Sequence, residues 1–388
     1  MTRDAKPNAI PSTRPNAAHD PLARWRSGVN IRPILPDLQA HSLHSYFAIS
    51  PESPDGRRVL LFTSDRPDGQ VGQLVMVDRH TAQTTVLDPH VEVEDAHRQA
   101  NQQWMCNGQA VVYMSLVGGQ WQIIRINTQD LSRHVLAIDR QLGWGQPHLD
   151  VAPLYGLHWN PGKHRDLEML NVATGRIGTV LTADRVIADH RAFAEKLQGG
   201  GDRPMSIFFP QLSPNGRRVF FKLAVPDDGL FRSPAASRRD GLLVYDLPEG
   251  RSRGVQQFWG HPAWYADSRH VQTCQFVVDT DTMHVDEIPN IPMPFGGVHT
   301  SPSPDGAMLV TDISKKDYLP QRNHWTILMI DPRDGHYDIM HIAPAPGDGT
   351  TSWRPVHPHP AFTRDGRRVY FNVPQAHWTT LHVMEVPA

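Results

Sequence analysis

The sequence predicts an all-β protein, a seven-bladed β-propeller of four-stranded antiparallel blades, and three observations support this prediction. A turn of the form Pro-Asp/Asn-Gly, followed by basic residues and an apolar run, recurs along the chain, as in SPDGRRVLLF, SPNGRRVFF, SPDGAMLVT and TRDGRRVYF. Each turn is followed about 20 to 30 residues later by a second strand and turn, as in LVMVDRHT. Seven such copies of roughly 50 residues each fill the chain. Because Asp-Gly and Asn-Gly turns close antiparallel hairpins, two hairpins per copy predict one four-stranded blade.

The repeat assigns most strands in order. The first turns of the seven units are placed at Asp55, Asn107, Asn160, Asn215, Asp267, Asp305 and Asp365. The second turns are placed at Asp78, Asn127, Asn171, Asp246, Asp279 and Asp331, and the final strand is LHVMEVPA. Residues 186–198 have a helical pattern and are expected to form an excursion between strands of the fourth unit. The Arg-Arg pairs after three of the turns are expected to be solvated residues at strand starts.

Composition and charge exclude several classes of protein. The 38 Lys and Arg residues nearly balance the 40 Asp and Glu residues, for a formal net charge of -2. This balance gives no electrostatic footprint for nucleic acid or an anionic membrane, and neither is expected as a partner. No apolar run reaches the length of about 18 residues that a spanning helix needs. The two cysteines, Cys106 and Cys274, can form at most one disulfide and are expected to be buried thiols.

The beginning of the chain differs in composition from the repeat. Residues 1–28 contain no apolar signal region and are expected to be a disordered lead, so the cytoplasm is the expected compartment, with the periplasm as the alternative if a signal segment was removed. Residues 29–388 are expected to form a single propeller domain. The pattern makes no prediction of oligomeric state.

Histidine is over-represented, with 22 residues in 388, and its positions follow the repeat. Propellers place binding sites at the channel mouth, and the innermost strand of each unit is expected just before its first turn. Six of the seven segments contain histidine, namely His41 and His44, His97, His158, His261, His299, and His357 with His359. This clustering indicates a polar site at the channel mouth.

The most specific local feature is VHPHP, which contains His357 and His359. Its alternate prolines exclude a helix, and in an extended chain the two imidazoles point to the same side. His299 precedes Asp305 by six residues, as His359 precedes Asp365, so it is expected at the same height in the neighbouring blade. The three imidazoles are candidate ligands of one divalent cation, and histidines held by structural hydrogen bonds are the alternative.

These motifs resemble those of the β-propeller oligogalacturonate lyases, over nearly all of the chain after about residue 40. That family carries a His-Pro-His-Pro segment before the last Asp-Gly turn, which VHPHPAFTRDG matches, and a histidine before the preceding turn, which His299 matches. It also has a His-x-x-Trp-x-x-Asp segment one blade earlier, matched by His261, Trp264 and Asp267. A Tyr-Phe pair in its first blade is matched in HSYFAISPESPDG.

The resemblance implies a carbon-oxygen lyase that cleaves a uronic-acid glycosidic bond in an acidic oligosaccharide, oligogalacturonate from pectin above all. It implies a divalent cation, Mn²⁺ or else Ca²⁺ or Zn²⁺, bound by His299, His357 and His359. A further metal ligand of the family, a Gln, corresponds to Arg354. Because a guanidinium cannot ligate a cation, Arg354 is expected to bind the substrate carboxylate. The family's arginine base corresponds most closely to Arg239.

Such a lyase removes the proton at C5 and expels the 4-O-linked sugar by β-elimination. A cation or an arginine on the carboxylate stabilises the developing enediolate, and a base must reach the C5 proton. Because arginine has a high pKa, His261 is an alternative to Arg239 and to the adjacent Arg238 as the base. The other candidate substrate-binding residues are His97, Arg203, Tyr155 and His44.

Other functions fit parts of the same pattern. Lyases of this fold that cut rhamnose-glucuronate linkages, in ulvan or gum side chains, fit the same residues, and Arg354 in place of the family Gln favours them. A non-enzymatic propeller that binds proteins through its rim, similar to TolB-like or WD-type scaffolds, does not account for histidines on innermost strands. A propeller-linked serine peptidase is excluded because the sequence has no Gly-x-Ser-x-Gly elbow and no residues remain for a hydrolase domain.

Overall fold

The computed structural model describes residues 20–94, 98–233, 235–256, 261–290, 299–313, 324–344, 357–375 and 377–386, and the statements below concern these residues. Regular structure within them is almost entirely β-strand, with three short α-helices. None of the described helices is long and apolar enough to cross a membrane. The all-β prediction is therefore confirmed.

The strands follow one another in chain order and mostly pair with their sequence neighbours. The chain begins with α1 (Ala23–Arg26) and β1 (Asn30–Pro33), followed by β2 (His41–Leu43), β3 (Arg58–Ser64), β4 (Val71–Asp78) and β5 (Thr84–Glu92). The next strands are β6 (Gln103–Met105), β7 (Ala110–Val117), β8 (Gln120–Asn127), β9 (Arg133–Ile138), β10 (Arg140–Leu142), β11 (Val151–Gly156), β12 (Leu167–Asn171) and β13 (Ile177–Leu181). Two helices, α2 (Ala183–Asp189) and α3 (Arg191–Gln198), precede β14 (Ser206–Leu212), β15 (Arg218–Pro226), β16 (Ser237–Asp246) and β17 (Arg251–Gln256). The remaining strands are β18 (Pro262–Trp264), β19 (His270–Thr273), β20 (Phe276–Asp279), β21 (His284–Glu287), β22 (Thr300–Pro302), β23 (Leu309–Ile313), β24 (His324–Ile330), β25 (Tyr337–Pro344), β26 (Ala361–Phe362), β27 (Arg368–Pro374) and β28 (Thr379–Glu385).

These strands form five antiparallel four-stranded sheets and one sheet of eight strands, counted over the described residues. The four-stranded sheets are β6–β9, β10–β13, β14–β17, β18–β21 and β22–β25. In the eight-stranded sheet, a single parallel pairing of Ser42 with Thr380 joins β2–β5 to β26–β28. Strand β1 completes the second of these units, since its Asn30 pairs with Glu385 of β28. The first and last strands of the chain therefore lie side by side.

Apolar side chains between successive sheets form the core. Tyr113 of β7 packs with Phe62 of β3, whereas its neighbour Met114 packs with Leu154 of β11. Successive residues of a strand point to opposite faces, so both faces of this sheet are covered by a neighbouring sheet. Double burial explains why the second and third strands of each unit are apolar runs and not alternating patterns. Cys106 and Cys274, both within the described residues, form no disulfide with each other, and Cys274 is buried whereas Cys106 is half-buried.

The second turns of the repeat coincide with the ends of strands. Strands β4, β8, β12, β16 and β20 end at the predicted residues Asp78, Asn127, Asn171, Asp246 and Asp279. The Asp78 carboxylate accepts the backbone N–H groups of His80 and Thr81, each at 3.0 Å. A short polar side chain that bonds to the backbone ahead of it stops the strand and starts the turn, which is why these positions were predictable.

The turn assignment is wrong in the third sheet. Its first strand is β10, and the following turn places the Leu149 N–H 3.0 Å from the Gln146 carbonyl oxygen. Asn160, which was predicted as this turn, follows β11, the second strand. His158 therefore lies beyond the second strand and not on an innermost segment. The actual turn contains Pro147 and lacks the Asp-Gly chemistry on which the repeat was defined.

The helical prediction for residues 186–198 is correct in type and wrong in extent and in place, because the helices lie between the third and fourth sheets and not between strands of the fourth. Two helices form before the fourth sheet and are separated at His190. The Thr182 hydroxyl accepts the backbone N–H of Arg185 at 3.3 Å and so starts the first helix. Gly199, in the left-handed conformation, ends the second.

The prediction of a disordered lead over residues 1–28 is wrong for residues 20–28. Leu22 and Trp25 are buried and belong to the core cluster that contains Met308 and Phe362. The rings of Trp25 and Phe362 meet edge to face at 6.1 Å. Residues 20–28 are therefore part of the folded domain, and the first 19 residues lie outside the described part of the chain.

The Arg-Arg pairs are solvated only at their first members. Those exposed residues are Arg57, Arg217 and Arg367, and the second members, half-buried or buried, are Arg58, Arg218 and Arg368. Arg368 donates to both carboxylate oxygens of Glu52, at 2.8 and 2.9 Å, across the junction of the two units in the eight-stranded sheet. The prediction is wrong for the second residue of each pair because that residue faces the neighbouring sheet.

Candidate functional site

Three histidines converge at the predicted metal position. One ring nitrogen each from His299, His357 and His359 lies within 4.8 Å of the other two. His299 directly precedes β22, whereas the other two precede β26, so two different sheets supply the set. His299 and His359 are buried and His357 keeps partial exposure. Three imidazoles at this spacing fit a first-row divalent metal ion.

Asp312 of β23 orients two of these histidines. Its carboxylate oxygens lie 3.1 and 3.0 Å from Nδ1 of His299, and they accept the backbone N–H groups of His299 at 2.9 Å and of His359 at 3.0 Å. Because Nδ1–H of His299 donates to the carboxylate, Nε2 carries the lone pair of the ring. Burial raises the pKa of Asp312 to about 6. A carboxylate that fixes the tautomer of an imidazole is the arrangement typical of metal-ligating histidines.

The backbone that brings the histidines together is not an extended strand. His359 has a φ of 50° and His261 a φ of 48°, a left-handed conformation that costs a non-glycine residue on the order of 1–3 kcal/mol. The extended conformation predicted for His357 and His359 is therefore wrong, although their ring centroids lie 5.6 Å apart. Non-glycine residues in this region cluster at functional sites, where the surrounding structure stabilises them.

His261 occupies the equivalent height in the preceding sheet. It lies six residues before Asp267, the same spacing that His299 and His359 have from their own turns. Its ring centroid lies 4.6 Å from that of His299, which in turn lies 4.2 Å from that of His359. Three consecutive sheets therefore present a histidine at one level.

Burial keeps these imidazoles neutral near pH 7. It lowers the pKa of His299 to about 3 and that of His357 to about 4. Burial, reinforced by the neighbouring His299 and Lys222, lowers the pKa of His261 well below its ordinary value. A neutral imidazole can serve as a metal ligand or as a proton acceptor.

An aromatic pair after β2 packs against the histidines. The Tyr46 ring lies 4.9 Å from that of His359, and the Phe47 ring lies 5.2 Å from that of His299. His44, a predicted substrate-binding residue, is 1% exposed, and its ring lies 6.4 Å from that of His359. Burial lowers the pKa of His44 to about 4, so it borders the histidines as a neutral, enclosed side chain.

A second buried polar group, the Glu94 cluster, comprises Glu94, Arg98, Gln141, Tyr155 and His158. Arg98 donates from Nη2 to both oxygens of Glu94 at 3.0 Å and from Nη1 to the Tyr155 hydroxyl at 3.1 Å. His158 Nε2 lies 2.9 Å from Glu94, and Gln141 also donates to this carboxylate. Burial alone would raise the pKa of Glu94, but the charge of Arg98 and the His158 hydrogen bond outweigh it and lower the pKa. Tyr155, a predicted substrate-binding residue, is fully buried, and burial raises its pKa to about 12.

Arg239 and Lys222 lie on one face of the β15–β16 ladder. Arg239 pairs with Ala224, two residues beyond Lys222, and alternate residues of a strand share a face. Arg239 is exposed, with its guanidinium carbon 5.0 Å from the centroid of the Phe208 ring. Burial and the charge of Arg239 lower the pKa of Lys222 well below its ordinary value. Lys222 also lowers the pKa of His261, and Arg239 lowers the pKa of Glu94. This face of the ladder therefore lies near both the histidines and the Glu94 cluster.

Two other predicted residues, Arg203 and Arg238, are not brought into the site. Arg203 donates to the carbonyl oxygens of Pro226, at 2.8 Å, and of Asp227, and so fixes the end of β15. Arg238 pairs with Asp227 at 3.2 Å. His97 and Arg354 lie outside the described residues, and their roles stay predictions.

Sequence reasoning missed Asp312, Lys222 and Glu94. The first two stand as single charges inside the apolar strands LVTDI and VFFKLAV. A charged residue within a buried strand needs a partner or a function, so this pattern was an available signal. Glu94 lies within an alternating segment, VEVED, and carries no such signal.

Comparison with solved structures gives the class of fold. The β-propeller domain of Swd1 from Myceliophteria thermophila aligns over 90% of this chain and 99% of that domain, with a TM-score of 0.52 and 9% identity. The sheets of this protein are those of a β-propeller. No protein-family model and no curated protein sequence matches the chain.

Two similar structures are more specific. An oligogalacturonate lyase from Vibrio parahaemolyticus aligns over 93% of this chain and 95% of its own, with a TM-score of 0.63 and 14% identity. An oligogalacturonate lyase in complex with manganese aligns over 93% of this chain and 94% of its own, with a TM-score of 0.64 and 15% identity. The resemblance inferred from the motifs is therefore confirmed for the fold.

Proposed function

We propose that this protein is a metal-assisted lyase that cleaves a uronic-acid glycosidic bond by β-elimination. The scaffold in this proposal has seven blades, with the eight-stranded sheet supplying the first and the last. The observation that carries the proposal is the convergence of His299, His357 and His359, with Asp312 orienting them. The fold shared with two oligogalacturonate lyases, one of them a manganese complex, supports the same class of reaction.

The three imidazoles are the proposed ligands of a divalent cation. Mn²⁺ is the first choice because a similar lyase was solved with manganese, and Zn²⁺ suits an all-imidazole set equally well. Ca²⁺ is a poorer choice because it takes oxygen ligands. When bound, the ion supplies positive charge that neutralises the substrate carboxylate and stabilises the enediolate.

His261 is the proposed base. Its imidazole is neutral, partly exposed and 4.6 Å from the ring of His299, so a ring nitrogen beside the cation site can take the C5 proton. Arg239, exposed above Phe208, is proposed to bind the sugar carboxylate. Arg238 is a weaker candidate for either role because it is bound to Asp227.

The direct test is incubation with oligogalacturonate, ulvan and rhamnosyl-glucuronate oligosaccharides, followed by the absorbance of the unsaturated uronate. We expect product from oligogalacturonate and its loss on chelation, with recovery on adding Mn²⁺. Product from rhamnosyl-glucuronate or ulvan alone would keep the reaction and change the sugar. Absence of product from every uronate, with metal supplied and the fold verified, would overturn the proposal.

The metal ligands are tested separately by elemental analysis. His357→Ala and His359→Ala should each reduce the bound metal to a small fraction of the wild-type content. The control is His284→Ala, because His284 is exposed and paired with Asp286. Metal content unchanged in the first two variants would remove these residues as ligands.

The base is distinguished from a binding residue by steady-state kinetics. His261→Ala should lower kcat by about 10²–10⁴-fold with little change in KM, since general-base catalysis contributes this much. Arg239→Gln should mainly raise KM, since it removes a contact made equally in the ground state. The reverse pattern would assign the base to Arg239.

A further inference from the structure

Outside the candidate metal site, a serine, a histidine and a carboxylate are joined by two successive hydrogen bonds. The Ser237 hydroxyl oxygen lies 2.6 Å from Nδ1 of His158, and Nε2 of the same ring lies 2.9 Å from an oxygen of Glu94. Ser237 begins β16, His158 follows β11, and Glu94 follows β5, so three sheets contribute one residue each. This order of groups is the one that activates a serine nucleophile, and it is recognised by geometry, whatever the sequence motif.

The protonation states follow from the contacts. A carboxylate can only accept, so Nε2 of His158 carries the proton that is donated to Glu94. The lone pair is then on Nδ1 and faces the Ser237 hydroxyl, which donates to it. Burial lowers the pKa of His158, so the ring is neutral and able to take the serine proton. In the usual triad Nε2 faces the serine and Nδ1–H donates to the carboxylate, whereas here Nδ1 faces the serine and Nε2–H donates. The imidazole still takes the serine proton on the nitrogen opposite the carboxylate.

The carboxylate is held in a fixed orientation. Both of its oxygens accept from Arg98 at 3.0 Å, and Gln141 donates to it as well. The backbone N–H of His158 donates to the Gln141 side-chain oxygen at 3.1 Å, which fixes the segment that carries the imidazole. Glu94 therefore stays ionised and can stabilise the imidazolium that forms when the serine loses its proton.

The surroundings indicate what the serine would act on. Trp159 and Phe208 lie 4.9 and 5.1 Å from the His158 ring, and Phe231 lies 5.8 Å from Trp159, so these rings form aromatic walls against the imidazole. Ser237 pairs with Pro226 and Arg239 with Ala224 without a break in register, so the serine and Arg239 share one face of the ladder. The guanidinium of Arg239 also lies over the Phe208 ring, so an apolar group and an anion would be bound side by side next to the serine.

We propose that Ser237, His158 and Glu94 form a second catalytic centre, which hydrolyses short-chain acyl esters carried by an acidic sugar. The acyl group lies against the aromatic walls, and the sugar carboxylate lies at Arg239. The acidic sugar in this assignment rests on the proposed lyase function, whereas the ester chemistry rests on the triad alone. Ser237 is 8% exposed and is followed in β16 by the exposed Arg238 and Arg239.

The reaction has two balanced halves. Ser237 Oγ bonds to the acyl carbonyl carbon as its proton passes to Nδ1 of His158, and the bond between that carbon and the sugar oxygen breaks as the sugar oxygen takes the proton from His158. Water then bonds to the acyl carbon, its proton passing to His158 and on to Ser237 Oγ as the acyl–serine bond breaks. The products are the sugar alcohol and a carboxylic acid, and no oxidant or reductant takes part.

The experiment treats the full chain with a fluorophosphonate probe and measures intact mass and the labelled peptide. We expect a single adduct on Ser237, and none in Ser237→Ala. The matched control is Ser252→Ala, because the Ser252 hydroxyl lies 3.2 Å from Nε2 of His190 in another serine–histidine pair. Hydrolysis of 4-nitrophenyl acetate should fall about 10³-fold or more in Ser237→Ala and about 10⁴-fold in Glu94→Gln.

Acetylated and unacetylated oligogalacturonate separate the proposed ester hydrolysis from the proposed lyase reaction. Acetate release from O-acetylated oligogalacturonate should be lost in Ser237→Ala, whereas formation of unsaturated uronate from unacetylated oligogalacturonate should be unchanged. Ester hydrolysis without any lyase activity would leave the triad standing and remove the acidic sugar. No adduct and no ester hydrolysis in the folded wild-type protein would overturn the second centre, whatever the lyase assay gives.

Discussion

At the scale of single residues, the candidate metal site depends on a side chain that is not a ligand. Asp312 accepts two backbone N–H groups and the Nδ1–H of His299, so it fixes both the path of the chain and the tautomer of one ligand. Its 0% exposure prevents water from replacing any of these bonds. The histidines are thus arranged before a metal ion arrives, and little reorganisation is needed on binding.

Asp312→Asn tests this role. The amide keeps the shape but loses the charge, and we expect metal affinity to fall by about 10–100-fold, the usual effect of removing a carboxylate behind a ligand. Titration calorimetry with Mn²⁺ on chelator-treated protein gives the dissociation constant. The control is Asp286→Asn, because Asp286 is 73% exposed and, among the described residues, forms an ion pair with His284 alone. Equal affinity in Asp312→Asn and wild type would contradict the role.

The sequence predicts which residues form this site better than it predicts their geometry. The six-residue spacing before the turn identified His299 and His359 and applies equally to His261. Spacing gives the height of a residue in its blade, and that part was predictable. The left-handed backbone of His359 and the carboxylate of Asp312 were not, because both depend on contacts between sheets.

At the scale of elements, the strands are joined across sheets by the second arginine of each pair. Arg368 of β27 binds Glu52 through two nearly parallel hydrogen bonds, and Glu52 also accepts from the Tyr370 hydroxyl at 2.7 Å. Arg368 further pairs with Asp365 at 2.7 Å. With Arg368 8% and Glu52 6% exposed, this is a buried ion pair at the junction of the first and last units.

Breaking this pair should be costly. Arg368→Met leaves the buried Glu52 carboxylate without its main partner, and we expect the free energy of unfolding to fall by about 3–5 kcal/mol. Arg367→Met, one residue away and exposed, should change it by no more than about 0.5 kcal/mol. Urea denaturation of both variants measures the difference. Similar stabilities for the two would show that the pair does not hold the junction.

The elements themselves were predictable where local chemistry decides them. Asp-Gly turns and the Asx turn at Asp78 recur because short polar side chains bond to the backbone beside them, and no distant contact is needed. The first turn of the third sheet does not match the pattern, because it contains Pro147 and no Asp-Gly or Asn-Gly pair. The burial of Trp25 could not be read from a polar lead sequence, since the surface that covers it comes from Phe362.

At the scale of the whole molecule, the buried histidines tie stability to pH. Burial lowers the pKa of His44 to about 4 and lowers the pKa of His341 and of His382. Below the ordinary pKa of 6.5 these histidines bind protons in the unfolded chain but not in the folded protein. The free energy of unfolding therefore falls as the pH drops. Above 6.5 both states are neutral and the effect vanishes.

Metal-free protein should therefore lose stability between pH 7.5 and 5.5, a range in which ordinary carboxylates remain ionised. His44, with its pKa lowered to about 4, contributes a loss of about 1 kcal/mol at pH 5.5, since one pH unit corresponds to 1.36 kcal/mol. His382→Gln should make the loss smaller, and His284→Gln, at an exposed position, should leave it unchanged. Urea denaturation at the two pH values measures this, and equal losses in wild type and His382→Gln would contradict the assignment.

The pairing of β1 with β28 also has a consequence for how the chain folds. Asn30 and Glu385 are about 350 residues apart in sequence and adjacent in space, a contact of the kind that forms slowly. During synthesis, β1 emerges long before its partner strand β28. The eight-stranded sheet can be completed only after β28 has left the ribosome, so the five four-stranded sheets, each closed by local hairpins, can form earlier. Closure of the ring is then the final step, and it binds the two ends of the chain to each other.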